Sequence, residues 1–398
     1  MRVVYLGTYD YDKPRNRLMI AALRAAGVEV RECCVDVWAG VADKSLIGGW
    51  ARVTRLLRWL AAYPLLIVRY LGCPAHDAVV FGYLGHLDVL ILGPFARLRR
   101  VAVVWDVFLS LPDTVVGDRK MISPRHPLAH LLRWGEGLAC RRVDLALMDT
   151  RAQSRLLEDA YGLPLARSGH VFVGAELDRF PYLPPRPPPG PGQPLTVLFY
   201  GQFIALHGIE TILRAAALDS ERRVAWRLIG SGQEAARIQA MMEATPGLAI
   251  HWQRWVDYER LIEAVAAADV CLGIFGGSDK AGRVIANKVF QIAATGRPLV
   301  TRQSPAIGEL FEPGLAGIRL IPPEDPAALL QAVLELGHSR ESLPQDLRDR
   351  FSPAALGARL SALIARTLAA KADPPRQQRP DDEAHPIAKD GDKAQQKR

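Results

Sequence analysis

Twelve short apolar runs punctuate this chain, six on either side of a proline cluster, and that pattern leaves few folds open. In the first half they are VVYLG (3–7), VEVRECC (28–34), AVVFGY (78–83), VAVVWDV (101–107), DLALMDT (144–150) and HVFVG (170–174). In the second they are LTVLFYG (195–201), AWRLIG (225–230), LAIHWQRW (248–255), DVCLGIFG (269–276), RPLVT (297–301) and GIRLIP (317–322). Helical patterns lie between them. Near-continuous apolar runs are what strands become when helices cover both faces of a parallel sheet. The intervening PYLPPRPPPGPGQP (181–194) cannot lie inside a helix or sheet, because proline lacks an amide donor and fixes its own φ.

The expectation is therefore an α/β protein of two Rossmann-like domains. The first spans 1–180 and the second 195–350, joined by the linker 181–194 and followed by a C-terminal helix over 351–371. Beyond it, residues 372–398 are polar, charged and proline-containing with no apolar period, and read as disordered. Open α/β sheets bind ligands at the carboxyl ends of their strands, so the active site is expected in the crevice between the domains.

A length of 398 residues with 49% hydrophobic and 23% charged side chains suits two globular domains. The formal charge of +8, from 50 basic against 42 acidic residues, is compatible with phosphorylated substrates or an anionic membrane surface. No basic run interleaves with aromatics and no Cys/His spacing marks a finger, so nucleic acid is not expected as a partner. The five cysteines, odd in number and without metal spacing, suit a reducing cytoplasm. The amino terminus enters a β-branched strand directly and lacks a signal-peptide pattern. The segment WARVTRLLRWLAAYPLLIVRYLGCP (50–74) is broken by Arg58, Pro64 and Arg69, too soon to cross ~30 Å of hydrocarbon. Over 50–70, Arg52, Arg55 and Arg58 on a Leu- and Trp-rich helix fit either a peripheral contact with anionic lipid on the inner membrane face or a helix packed on the sheet with snorkelling arginines.

Two strand ends in the second half carry phosphate chemistry. LTVLFYG closes on Gly201, and QFIALHG leads into a helix near Ile209. A strand-end glycine allows close backbone approach, and a helix amino terminus offers free amides to an anion. His207, just before that helix, reads as a phosphate donor or as a surface histidine. After DVCLGIFG comes GGSDKAGRVIANKVFQ, where Gly276 and Gly277 permit close approach and Lys280, Arg283 and Lys288 supply cations for a diphosphate. A nucleotide-triphosphatase loop is excluded, because no lysine followed by Ser or Thr stands at the required spacing.

Taken in order, YGQFIALHG, LIGSGQE and NKVFQIAATGRPLV, together with the linker, resemble the GT-B glycosyltransferases, specifically the retaining, nucleotide-sugar-dependent family 4 (group 1) enzymes, over most of residues 1–365. The resemblance implies that Gly201, His207 and Gly208 face the donor diphosphate, with Arg283 and Lys288 neutralising it. Gly230, Ser231, Gly232, Trp255 and Val256 would flank the nucleoside, with Gly7, Gly276, Gly277, Lys280, Asn287 and Gln291 completing the donor set. In this chain Gln202 replaces the family's arginine, His207 its lysine and Gln291 its ribose-binding glutamate, while the earlier glutamate gives way to Arg283 or a near neighbour. Glutamine can hydrogen-bond a ribose hydroxyl but without charge assistance.

In the first half, the loop after Gly7 makes Asp10, Arg15 and Asn16 candidate acceptor contacts. His86 resembles the family's histidine near the transferred sugar, with a surface or capping histidine as the alternative. Asp106 or Asp113 would orient acceptor hydroxyls or position His86; a turn or cap is the alternative for Asp113. The resemblance implies transfer of a hexose-type sugar to a glycan, lipid-linked or small-molecule acceptor, with retention by front-face attack. A helix amino terminus together with Arg283 and Lys288 can stabilise a departing diphosphate without a divalent ion, so neither metal nor cofactor is expected beyond the nucleotide-sugar co-substrate. A sugar-nucleotide 2-epimerase and a catalytically silent sugar-nucleotide-binding partner of another transferase are the competing readings.

Overall fold

The computed structural model describes residues 1–11, 13–37, 49–187, 189–190 and 192–373. Each half of the chain forms one wholly parallel sheet. The strands β1 (Arg2–Gly7), β2 (Glu29–Cys34), β3 (Ala78–Phe81), β4 (Ala102–Asp106), β5 (Leu145–Met148) and β6 (Ser168–His170) lie in the order β2-β1-β3-β4-β5-β6. The second sheet takes β7 (Leu195–Tyr200), β8 (Val224–Ile229), β9 (Ile250–Gln253), β10 (Val270–Leu272), β11 (Leu299–Arg302) and β12 (Ile318–Ile321) in the order β12-β11-β10-β7-β8-β9. In each sheet the chain reverses its direction of travel once, between β1 and β3 and between β7 and β10. Such switch points open a crevice at the carboxyl ends of the two flanking strands.

Helices on both faces explain why the strands carry no polar alternation. One face of the first sheet is buried by α1 (Pro14–Ala25) and α13 (Pro353–Ala372), through Met19, Leu23, Leu360 and Ile364. The other is covered by α2 (Gly49–Leu71), α3 (His86–Leu98) and α4 (Pro127–Arg141), through Tyr63, Leu66, Leu92 and Ala139. Local sequence sets the helix ends. At the start of α5 (Arg151–Tyr161) the Thr150 hydroxyl accepts from the Gln153 amide, and Gly162 stops the helix at φ +62°.

The last helix comes back to the first half, where α13 lies along α1. Gly357 makes the approach possible: a Cβ there would overlap the carbonyl oxygen of Ala22. The proline-rich linker is tied to the second half, Tyr182 donating to the Leu343 carbonyl at 3.2 Å and Arg297 to that of Pro184 at 2.8 Å. One strand differs from expectation. Residue pairing of β6 ends at His170; the Val171 amide still donates to the Met148 carbonyl at 2.9 Å, while the carbonyls of Val171 and Phe172 accept from Arg15 Nη1 at 2.7 and 3.0 Å. The tail expected to be disordered lies outside the described residues beyond Asp373, as do the side chains of Arg52 and Arg55.

Gly357→Ala should push α13 off α1 and lower stability by about 1–3 kcal/mol, the range for overpacking a close contact. Hydrogen exchange would show faster opening in residues 353–372; exchange unchanged there would mean that α13 does not depend on this approach.

Candidate active site

The second-sheet switch point carries a buried cation. Gly201 ends β7 at φ +137°, a conformation that disfavours a side chain. A Cβ at Gly201 would stand 2.9 Å from Lys288 Nζ and 3.4 Å from His207 Cε1, so both side chains converge on this strand end. Lys288, near the start of α10 (Asn287–Thr295), is 5% exposed. Its ammonium sits 3.6 Å over the centre of the Phe199 ring and has no hydrogen-bond partner among the described residues. Burial holds Lys288 well below the ordinary lysine range, and burial together with the charge of Lys288 depresses His207. His207 Nδ1 donates to the Gln202 carbonyl, which leaves Nε2 for a ligand. A buried ammonium without a partner is costly, and an anion at Gly201 would supply the missing interaction.

Other glycines of the expected donor set approach protein backbone. A Cβ on Gly230 would overlap the Gly201 carbonyl oxygen, and one on Gly232 would stand 2.7 Å from that of Phe203, so the Gly230-Ser231-Gly232 turn packs on the loop after β7. Gly208, at φ +63°, precedes α6 (Ile209–Leu218), and a Cβ on it would stand 2.5 Å from the Gly276 amide nitrogen. Gly277 corrects the expectation of close backbone approach by a phosphate: its N–H donates to Glu324 Oε1 at 3.0 Å, and a Cβ there would meet that carboxylate at 2.6 Å. Trp255 is 78% exposed, while Val256 packs partly into the second-half core. Asn287 is half-buried at the first position of α10. The Gln291 amide oxygen accepts from the Tyr200 hydroxyl at 3.1 Å.

In the first half, buried charge is used internally. Arg15, 1% exposed, donates Nε and Nη2 to the two oxygens of Asp106 at 2.8 and 2.7 Å. Neither residue is available to an acceptor, and Asp106 does not position His86. Asn16 is likewise occupied, its Oδ1 accepting from Tyr5 and the Tyr83 amide and its Nδ2 donating to the Asp10 carbonyl at 2.8 Å. Asp10 is buried beside it. Gly7, at φ +140°, makes room for a protein carboxylate: a Cβ there would overlap Asp88 Oδ2. Asp88 accepts from the Thr8 amide, the Thr8 hydroxyl and Tyr63, and burial raises it to about 6.

His86 opens α3 at the other switch point, and its orienting partner is Glu136 on α4, 2.9 Å from Nε2. Glu136 also accepts from the Leu111 amide at 2.8 Å and the Tyr161 hydroxyl at 3.0 Å. Because Nε2–H donates to the carboxylate, Nδ1 is the ring nitrogen left to accept. It is buried, with no hydrogen-bond partner among the described residues. The sequence reading missed Glu136, although a lone carboxylate in the apolar run of WGEGLAC was a signal.

Two of the expected donor cations tie the halves together. Arg283 Nη2 donates to Asp113 Oδ1 at 2.6 Å and its Nε to Gln153 at 3.2 Å, while Lys280 donates to the Thr114 hydroxyl and lies 3.8 Å from Asp113 Oδ2. Asp113 therefore anchors α9 (Asp279–Arg283) to a π-helical turn (Asp113–Asp118), where an acceptor contact or a simple cap had been expected. Glu309 reinforces the contact by accepting from the Arg151 and Ala152 amides at 2.7 and 2.9 Å, at the amino terminus of α5. Asp149, at the end of β5, is raised to about 7, chiefly by burial.

Two facing parallel sheets with a cation-lined switch point define the GT-B class of two-domain transferase fold. Residues 194–339 match the family model described as Glycosyl transferases group 1. Over the whole chain, sucrose-phosphate synthase from Thermosynechococcus elongatus is similar at 15% identity, with 93% of this chain and 97% of that one covered and a TM-score of 0.61. Anabaena HepE in complex with UDP-glucose is similar at 15% identity, over 93% of this chain and 100% of that one, with a TM-score of 0.62. The lipopolysaccharide outer core galactosyltransferase WaaB is similar at 12% identity, over 92% and 99%, with a TM-score of 0.60. At these identities the likeness is one of fold. No curated protein matches the sequence.

Lys288→Ala should weaken binding of a nucleoside diphosphate ester by about 1–3 kcal/mol, the worth of one charge-assisted hydrogen bond in a buried site. Affinity should also depend on pH. Burial lowers the proton affinities of empty-site Lys288 and His207, and a bound anion raises them again, so binding takes up protons. Affinity then rises as pH falls below the ordinary lysine range, and Lys288→Met flattens the slope. Calorimetry in two buffers of different ionisation enthalpy would measure the uptake; a wild-type affinity independent of pH contradicts it.

Proposed function

We propose that this chain is a nucleotide-sugar-dependent glycosyltransferase that moves a hexose-type sugar to a glycan, lipid-linked or small-molecule acceptor, with retention and without a metal. The observation that carries the reading is the buried, unpartnered Lys288 ammonium beside His207 at the Gly201 strand end, inside the segment that matches the group 1 model. In the reaction, Lys288, His207 and the first amides of α6 receive the donor diphosphate and stabilise its departure. Trp255 and Val256, with the turn from Gly230 to Gly232, border the nucleoside. Held by Glu136, His86 accepts a hydrogen bond from a sugar hydroxyl through Nδ1. Arg283 and Lys280 act mainly by holding the crevice closed. The transferred group then leaves toward an acceptor on the first-half side, consistent with a lipid-linked acceptor beside residues 50–70.

The engagement of Gln291 by Tyr200 favours one second reading, a protein that binds sugar nucleotides for another transferase without catalysing transfer. Donors are separable by a thermal-shift panel of UDP-, GDP- and TDP-sugars, because a ligand that binds only the folded state raises apparent stability. UDP-sugars head the panel, since HepE is complexed with UDP-glucose. Nucleoside diphosphate release that acceptor lipid accelerates supports transfer; a stability shift with no release supports the silent partner; neither response would falsify both. His86→Ala should lower turnover about 10- to 100-fold, the equivalent of one buried hydrogen bond made in the transition state, with donor affinity nearly unchanged.

A further inference from the structure

We propose that α2, α3 and α4 together form a docking face for an anionic lipid bilayer. Helix α2 is apolar on both sides: Ala62, Tyr63, Leu66 and Tyr70 face the sheet, while Leu57, Leu60, Leu65, Val68 and Leu71 are exposed. A soluble surface helix ordinarily turns a polar side to water. The neighbouring α3 exposes Leu98, and α4 exposes Leu128, Leu131 and Trp134 at a spacing of three residues, Trp134 at 65%. Since α3 packs against both α2 and α4, the three exposed stripes lie side by side on one flank of the first sheet. Among the described residues of the second half, by contrast, the exposed large apolar side chains are Leu218, Trp255 and Tyr258. A contiguous apolar area of this kind marks an interaction surface.

Charge selects the occupant. The acidic residues of these three helices are Asp88 and Glu136, and both are buried. Arg58, Arg69, Arg97 and Arg133 are exposed on the same helices, so the face is apolar with cations and no exposed carboxylate. That is the composition of an interfacial surface: aliphatic side chains and a tryptophan enter the acyl boundary while long basic side chains reach the headgroups. A bilayer is favoured over a protein partner because the exposed cations alternate along α2 and α4 with the exposed apolar residues, Arg58 between Leu57 and Leu60, Arg69 between Val68 and Leu71, and Arg133 between Leu131 and Trp134.

The placement has a consequence for chemistry. Trp59 of α2 donates to the Thr8 hydroxyl at 2.8 Å, just past the end of β1. Helix α3 begins at His86, and α4 carries Glu136. The helices that would meet lipid are thus the ones that build the first-half side of the crevice, which would bring a membrane-borne acceptor to its edge. The inference deepens the lipid-linked acceptor reading above and rests on it only for this last step.

The test uses the full chain with no sugar nucleotide present, so that failure of the transferase reading leaves it intact. Co-sedimentation is measured with phosphatidylcholine vesicles, alone and containing phosphatidylglycerol, alongside sedimentation-equilibrium mass. Binding is expected to the anionic vesicles and to weaken with salt. Leu131→Glu combined with Trp134→Glu should reduce it on the order of tenfold or more, and Arg58→Ser and Arg133→Ser about fivefold each. These side chains are exposed, so unchanged thermal unfolding in each variant confirms that the fold is retained. Absence of binding to anionic vesicles, or equal binding by the Leu131/Trp134 variant, overturns the proposal. So does a wild-type dimer that the same variant converts to monomer without any vesicle binding, which would assign the face to a second copy of the chain.

Discussion

A charged network at the crevice, beside an apolar cluster that spans both halves, fixes how the two halves meet. Asp113 lies against Arg283 at 2.6 Å and Lys280 at 3.8 Å, Lys280 also meets Thr114, and the Ser278 hydroxyl donates to Asp118 at 3.3 Å. Bringing such groups out of water costs several kcal/mol per ion, so a network of this kind contributes little net stability. Its effect is geometric, because the groups are satisfied in one relative placement of the domains and left unpaired in others. The crevice, and the distance from His86 on one side to Lys288 on the other, inherit that placement.

The same network redistributes the work of binding phosphate. Arg283 and Lys280 stand beside the expected diphosphate site in sequence, yet both are held by the first half. Lys288 is different: its surroundings are Phe199, Gly201 and His207, and its ammonium has no hydrogen-bond partner among the described residues. A cation in that condition gains most from an incoming anion, since the desolvation has already been met by folding. An analogous preorganisation holds on the other side, where Glu136 fixes the His86 ring by occupying Nε2.

Much of this was legible in the residues themselves. The apolar runs located both sheets, since a strand buried on two faces has no solvent side to encode. The strand-end glycines were legible too, because Gly201 and Gly230 occupy backbone conformations that a side chain would strain. Other assignments failed for a common reason. Arg15 and Asp106 are 91 positions apart and read singly as crevice residues, but they neutralise each other in the core. Gly277 looked like a phosphate loop and serves Glu324, and Gly7 looked like a ligand approach and serves Asp88. Glu136, 50 positions from His86, carried only the faint signal of a charge in an apolar helix.

By itself, then, the sequence determined the elements, their parallel pairing into two sheets and the presence of phosphate-suited groups at particular strand ends, because periodicity and backbone permissiveness are local properties. Which of those groups is free to meet a ligand was decided only by the tertiary structure. Partnership between charges depends on distance and burial across the fold. That is why Arg283, beside Asp113, became a tie between domains while Lys288, over an aromatic ring, is left without a hydrogen-bond partner among the described residues.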